Sequence, residues 1–251
     1  MNLRSVLEDC LYLNWALPRE ALPDPPPTLR YDLRDGEGGE TVFASALFFR
    51  QRGFRLNYLP LLRLSYLQCQ LQLCTLDRDG TPSVWIQSVL LPVWVAPGAR
   101  WLAGQPARSA VLSLDSAGGE RAAAYARWRV ACRGELTVTT EPASPAVGAG
   151  PVLGGWQRTV SYFSQRPVAY SLGSRGLRRI ELTCEEVEVW PVRADIEDDG
   201  LLAACLGLEG PGGEPVPEPH SAWICPPMVA SLLLLGDAGP APGTQEVPIP
   251  G

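Results

Sequence analysis

The sequence of 251 residues contains no lysine, and all 21 of its basic residues are arginine. A biased genome composition explains this without any functional cause. The chemical consequence is the same in either case, because Schiff-base catalysis needs a neutral primary amine and arginine does not deprotonate in proteins. No side chain of this protein can therefore form a Schiff base, and the terminal amine is the only primary amine left.

Histidine is almost absent as well, because position 220 holds the only one. Sites that need several histidines are thereby excluded, and a Ser-His-Asp or Cys-His site would have to use His220. This residue follows a proline-rich loop, which favours a surface or loop-anchoring role over catalysis. The seven cysteines lack the spacing of a zinc site or a redox pair, and the acidic residues lack that of an EF-hand. We therefore predict no metal, no cofactor and no assigned catalytic residue.

An excess of positive charge and long apolar segments are missing too. The formal net charge is −6, whereas a nucleic-acid partner calls for a dense basic face. Apolar runs are broken by proline or are too short to span a bilayer, and Glu8 and Asp9 lie where a signal peptide has its apolar core. We expect a cytoplasmic protein with reduced cysteines and with neither nucleic acid nor a membrane as partner. Its oligomeric state stays open, with a homodimer as one alternative.

What the sequence does contain is strand periodicity. In the segment 64–76 apolar side chains alternate with three glutamines, Gln68, Gln70 and Gln72. A period of two predicts a half-buried strand with the glutamines on one face. The turn D-R-D-G-T-P follows it and predicts a hairpin with the next apolar run.

Helix signals are few and short. The segment A-R-W-L-A-G, closed by Gly104 and Pro106, is the best internal candidate, and 156–164 is a second. Residues 3–16 fit either a short helix or a strand. Many strands with few helices predict a mainly β or α+β domain on a large curled antiparallel sheet. We assign this single domain to residues 1–236 and a disordered tail rich in Pro, Gly and Ala to 237–251.

Several segments, in this order and spacing, resemble the YqjF-like domain-of-unknown-function family of the acetoacetate decarboxylase-like superfamily over residues 8–236. They are LNWALPREALP, FASALFFRQRGFR, LSYLQCQLQLCTLDRDGTPSVW, GARWLAGQPARSA, YFSQRPVAY and VWPVRADI. The resemblance implies a closed, cone-like antiparallel barrel around a small cavity, with short helices packed outside.

The resemblance also gives a meaning to the G-Q-P turn. Acetoacetate decarboxylases carry a glycine, an aromatic residue, a proline and two lysines there, the first of which forms the Schiff base. In this sequence Gly104 and Pro106 match and Gln105 replaces the aromatic residue. Ala107 falls on the nucleophile and Arg108 on its neighbour. Schiff-base decarboxylation is therefore excluded on chemical grounds.

A second part of the family pattern is altered on the glutamine strand. A decarboxylase glutamate falls at Gln68, and relatives of the YqjF-like family commonly show Glu-x-Asn-x-Arg where this chain has Gln68, Gln70 and Gln72. Ionisable groups are thus replaced by neutral amides. The favoured hypothesis is binding of a small, partly apolar or anionic molecule in the barrel cavity, with this row supplying hydrogen bonds.

Three further residues complete the predicted ligand site. Arg108 would offer a fixed positive charge to a carboxylate or phosphate. Arg166, in S-Q-R-P, matches a family position, and Trp85 would form an apolar wall. For each of them a structural role in the core or on a barrel rim is the alternative.

Two other hypotheses remain. An enzyme of another type, such as a hydrolase, isomerase or lyase acting on a small polar metabolite, would need a titratable group in the cavity. Glu181, Asp115 and Cys69 are the candidates for it. An interaction module would use the acidic segment ELTCEEVEVW and the C-terminal tail as contact surfaces.

Overall fold

The computed structural model describes residues 2–36, 39–56, 59–116, 126–132, 134–145, 151–173, 176–206 and 217–237. Seven long strands form its central feature, and their neighbours close into a ring in the order β4–β5–β6–β11–β12–β15–β1–β4. They are β1 (Asn2–Pro18), β4 (Gly39–Leu56), β5 (Leu59–Leu76), β6 (Pro82–Leu91), β11 (Val168–Gly173), β12 (Gly176–Cys184) and β15 (Met228–Asp237). This ring is the predicted closed barrel, and it is almost wholly antiparallel.

One seam of the barrel departs from the antiparallel rule. β11 lies parallel to β6, with Val168 beside Ser83 and Ser171 beside Ile86. A parallel neighbour needs a long crossover connection, and here the crossover is the whole segment 92–167. The predicted hairpin of β5 and β6 is confirmed, with one bulge between Leu71 and Gln72.

A bulge in β1 explains why the sequence of residues 3–16 fitted either a helix or a strand. Residues 3–16 form a strand, but its register shifts between Glu8 and Leu11, and Asp9 has a left-handed φ of 53°. Before this bulge β1 pairs with β15, and after it β1 pairs with β14 (Ser221–Cys225). The side-chain alternation is broken at the bulge, so no single period runs through the segment.

A second layer of strands extends from β14 and packs against one side of the barrel. It consists of β13 (Trp190–Asp198), β10 (Glu135–Pro142), β9 (Ala126–Ala131) and β8 (Val111–Ser116). The largest apolar cluster joins its inner face to the outer face of the barrel, with Trp128 of β9 against Phe48 of β4. Burial of this cluster is the main driving force that holds the two layers together. Three short strands complete the sheet: β2 (Arg30–Tyr31), β3 (Arg34–Gly36) and β7 (Ala107–Ser109).

Among the residues that the structure describes, three short α-helices lie outside the sheet layers. α1 (Ala96–Ala103) and α2 (Trp156–Ser164) occupy the two segments in which helices were predicted. α1 ends where Gly104 adopts the left-handed conformation that favours glycine at a helix C-terminus. α3 (Gly200–Leu206) was not predicted. Two single 3-10 turns are present at Arg19–Ala21 and Pro151–Leu153.

The last described strand, β15, covers the first residue of the predicted C-terminal tail. β15 runs to Asp237, and the remainder of the expected disordered segment, 238–251, lies outside the described residues. Within the part of the chain that the structure describes, no helix has the length and apolar character needed to cross a membrane.

Candidate functional site

The barrel surrounds a cavity of about 1430 Å³, partly open to solvent. Its wall is formed by the inner faces of six barrel strands together with α1 and α2. Most of the lining side chains are apolar, as in pockets that hold small organic ligands. Examples from different strands are Leu3, Phe49, Tyr66, Ile86, Leu182 and Leu234.

The glutamine row of β5 lies on this wall. Gln68, Gln70 and Gln72 all line the cavity, and Gln70 Nε2 donates a hydrogen bond to Gln72 Oε1 at 2.8 Å. The alternate residues Cys69 and Leu71 point the other way, into the core between the two sheet layers. The period of two in the sequence therefore corresponds to an amide face inside the barrel and an apolar face outside it.

A fourth glutamine, Gln51 on β4, was missed at the sequence level. Its side chain lines the cavity, is only 5% exposed, and has no hydrogen-bond partner for Oε1 among the described residues. The signal that could have found it is the alternation of β4, in which Leu47, Phe49 and Gln51 share the inner face while Phe48 lies in the outer core.

Arg166 reaches the cavity wall, but its guanidinium is already engaged. Nη2 donates to Asp32 Oδ2 at 2.6 Å, and Nε donates to the carbonyl of Tyr162 at 3.1 Å. Nη1 donates to the carbonyls of Thr75 and Ser83, at 3.1 and 2.9 Å. The guanidinium also lies over the ring of Tyr162, 4.2 Å from its centroid. These contacts join the end of α2 to the turn end of the β5–β6 hairpin, so this arginine holds the wall in place.

Arg108 and Trp85 do not line the barrel cavity. Ala107 packs in the apolar cluster inside the barrel, so its neighbour Arg108 points outward, where Nη1 lies 3.6 Å from Cys205 Sγ. Trp85 sits between two cavity-lining residues of β6, Val84 and Ile86, and alternation turns it into the outer core. Trp85 thus packs in the core outside the barrel. Arg108 borders a small separate pocket beside α1.

The G-Q-P turn itself is tightly held. Arg178 Nη1 donates to the carbonyl of Ala103 at 3.0 Å, and Gly173 lies so close that a Cβ there would overlap the carbonyl oxygen of Gly104. Gln105 lines the cavity, and Ala107, 3% exposed, is buried in the same interior. Ala107, on which the family resemblance places the position of the reactive amine, carries only a methyl group.

The three titratable residues considered for another kind of enzyme all lie elsewhere. Glu181 faces out of the barrel and accepts a hydrogen bond from Arg179 at 2.6 Å, while Asp115 lies on β8 of the outer layer. Cys69 is fully buried in the outer core, and this burial raises the pKa of its thiol far above the usual value. None of these side chains can reach a molecule in the cavity.

One end of the cavity is acidic. The segment 185–189, which connects β12 and β13, brings Glu185, Glu186 and Glu188 to the lining. Cys225 lies at the same end, and burial raises the pKa of its thiol to about 12. A thiol with so high a pKa is protonated and unreactive at neutral pH.

Comparison with known proteins agrees with this architecture. The model of a family described as an uncharacterized conserved protein (DUF2071, COG2071) matches residues 4–226. The chain belongs to this family. The predicted membership of a domain-of-unknown-function family is therefore confirmed. No curated protein matches this DUF2071 chain.

Solved structures resemble the DUF2071 chain in fold. The enduracididine biosynthesis enzyme MppR with bound HEPES shares 15% identity at a TM-score of 0.55, covering 95% of this chain and 88% of MppR. MppR with the condensation product of pyruvate and imidazole 4-carboxaldehyde shares 14% identity at a TM-score of 0.56, covering 95% of this chain and 90% of MppR. An acetoacetate decarboxylase-like enzyme from Sphingomonas wittichii RW1 shares 12% identity at a TM-score of 0.50, covering 94% of this chain and 91% of that enzyme. At such identities the likeness shows the fold alone, and it confirms the predicted acetoacetate decarboxylase-like fold.

Proposed function

We propose that this protein binds a small, largely apolar molecule inside the barrel and does not act as a Schiff-base decarboxylase. The observation that carries the proposal is the large, mostly apolar cavity, whose lining includes the glutamine row of β5. Ligand pockets in proteins combine apolar lining with a few placed polar groups in this way. The described cysteines are thiols rather than disulfides, which suits action in a reducing compartment such as the cytoplasm.

The similar folds support the same idea. Structures of MppR are described with HEPES, with pyruvate and with a condensation product of pyruvate. A protein that shares this fold thus binds small organic molecules. The absence of lysine removes the Schiff-base route for this chain, so binding is the part of that behaviour we assign to it.

The geometry favours the apolar over the anionic form of the hypothesis. Arg108 lies outside the cavity, and Arg166 is the only basic residue among the described cavity-lining ones. The enzyme alternative loses the three groups named for it, because Glu181, Asp115 and Cys69 all point away from the cavity.

A fluorescence titration with the neutral apolar dye N-phenyl-1-naphthylamine tests the proposal. Ala230 lines the cavity and is 4% exposed, so the substitution Ala230→Phe fills part of the space. Ala21→Phe, at an exposed position outside the barrel, is the matched control. We expect saturable binding to the wild type and to Ala21→Phe and weaker binding to Ala230→Phe. Absence of binding to the folded wild type, or equal binding to all three, would contradict the proposal.

A further inference from the structure

We infer that the ligand carries an uncharged hydrogen-bonding head group, such as a primary amide or a hydroxyl, held by a wall of four glutamines. This amide wall consists of Gln51, Gln68, Gln70 and Gln72. The inference rests on the proposed function and names the chemical class of the ligand: an apolar tail with a neutral, polar end.

The register of β4 and β5 makes the amide wall continuous. Gln51 is paired with Tyr66, and Phe49 is paired with Gln68, so Gln51 and Gln68 are diagonal neighbours on the inner face. Diagonal neighbours on adjacent strands are within about 7–8 Å of each other, which long side chains can bridge. Gln70 and Gln72 continue the same face along β5. Four amide groups are therefore offered along one strip of the cavity.

The internal hydrogen bonding of the amide wall is incomplete. Gln70 and Gln72 bond to each other at 2.8 Å, whereas Gln51 Oε1 is buried and has no partner among the described residues. A buried amide oxygen without a partner is unfavourable, and native proteins seldom leave one so. A ligand N–H or O–H group placed beside Gln51 would satisfy it. Because each amide both donates and accepts, a head group that does the same fits best.

The charges around the cavity disfavour an acid. Arg166 is the only basic residue among the described residues of the lining, and four of its five N–H groups bond to Asp32 and backbone carbonyls. Glu185, Glu186 and Glu188 lie at one end of the same cavity. A carboxylate in this space would lose its hydration without gaining a free counter-charge. A neutral head group loses far less.

The rest of the wall suits an apolar tail. The side of the barrel opposite the amide wall is lined by β12 and β15, whose inner residues include Ile180, Leu182, Leu232 and Leu234. Trp94 and Val95, which directly precede α1, also line the cavity, and Val95 packs in the same buried cluster as Leu3. A chain or ring that lies against these residues leaves its polar end facing the glutamines.

Isothermal titration with octanamide, octylamine and octanoate tests this, because the three share one tail and differ in head-group charge. We expect octanamide to bind most tightly and octanoate to bind about 10-fold or more weakly. Tightest or equal binding of octanoate, or no binding of any of the three by a protein that binds N-phenyl-1-naphthylamine, would overturn the inference and leave the proposed function standing. Failure to bind even the dye would instead remove the proposed function, and the inference with it.

Two variants locate the head group. Gln51→Leu should weaken octanamide binding about 5- to 10-fold. Gln87→Leu is the matched control, because Gln87 lies on β6 outside the cavity lining. A second substitution, Gln51→Glu, should move the preference toward octylamine. Octanamide affinity unchanged in Gln51→Leu, or lowered equally in Gln87→Leu, would contradict the role of Gln51.

Discussion

Arg166 Nη2 donates a hydrogen bond of 2.6 Å to Asp32 Oδ2, and both side chains are almost completely buried. Asp32 accepts a second contact from Arg34 at 3.1 Å. Two guanidinium groups lie over the Tyr162 ring. That of Arg166 is 4.2 Å from the ring centroid, and that of Arg34 is 5.0 Å from it. Because Arg166 also bonds to backbone carbonyls of β5 and β6, this buried cluster fixes the strands that carry the glutamine row.

Removing the carboxylate of this pair should be costly. In Asp32→Leu the Arg166 guanidinium stays buried without its counter-charge, which typically destabilises a fold by about 3–5 kcal/mol. The exposed pair of Arg52 and Glu8, at 2.9 Å, is the control, and Arg52→Gln should cost at most about 1 kcal/mol. Urea unfolding measures both. A loss in Asp32→Leu no larger than that in Arg52→Gln would contradict the structural role of the pair.

The turn beside Ala107 is predicted to be intolerant of a single methyl group. A Cβ on Gly173 would overlap the Gly104 carbonyl, so Gly173→Ala must displace the turn and should cost about 1–3 kcal/mol. In Gly98→Ala the new Cβ meets nothing within 4 Å and lies within α1, so stability should be unchanged or rise by up to about 1 kcal/mol. Thermal unfolding of the two variants compares them. Equal stability of both would show that the close approach of the two glycines does not exist.

The only histidine gives a clean test of burial through pH. Burial lowers the pKa of His220 below its usual 6.5, and neither ring nitrogen has a partner among the described residues. The unfolded chain therefore binds the proton more readily, so the free energy of unfolding should fall as the pH drops below about 6.5. Above that pH both states are neutral and the residue contributes no pH dependence.

Proton NMR titration of the imidazole checks the direction of this shift, with a midpoint expected below 6.5. His220→Gln should lose the ring contact with Phe43 at every pH, but should show less destabilisation between about pH 7.5 and pH 5.5 than the wild type. A midpoint at or above 6.5 would contradict the buried environment.

The part of the site that the sequence predicted depends on local alternation. Gln68, Gln70 and Gln72 share a face because a strand has a period of two, and that period is visible in the sequence. Gln51 obeys the same rule on β4, but its strand lacks a repeated residue type and was not recognised. The G-Q-P turn could be predicted for a similar reason, since Gly104 ends α1 as a local C-terminal signal.

Which face of a strand looks inward could not be derived locally. Ala107 and Arg108 must point to opposite sides, but the choice between them is made when β7 pairs in parallel with β6. Trp85 is turned outward by the pairing of β6 with β5, which contains a bulge between Leu71 and Gln72. The parallel seam between β6 and β11 joins segments about 85 residues apart, so no local pattern predicts it.

The most direct test of ligand binding in the barrel is a crystal structure of the protein soaked with a bromine-tagged octanamide. We expect an anomalous bromine peak inside the barrel, among the apolar residues of β12 and β15, with the amide within hydrogen-bond distance of Gln51 or its neighbours on β5. A peak outside the barrel, or no peak in crystals of a protein shown to bind the compound in solution, would contradict it.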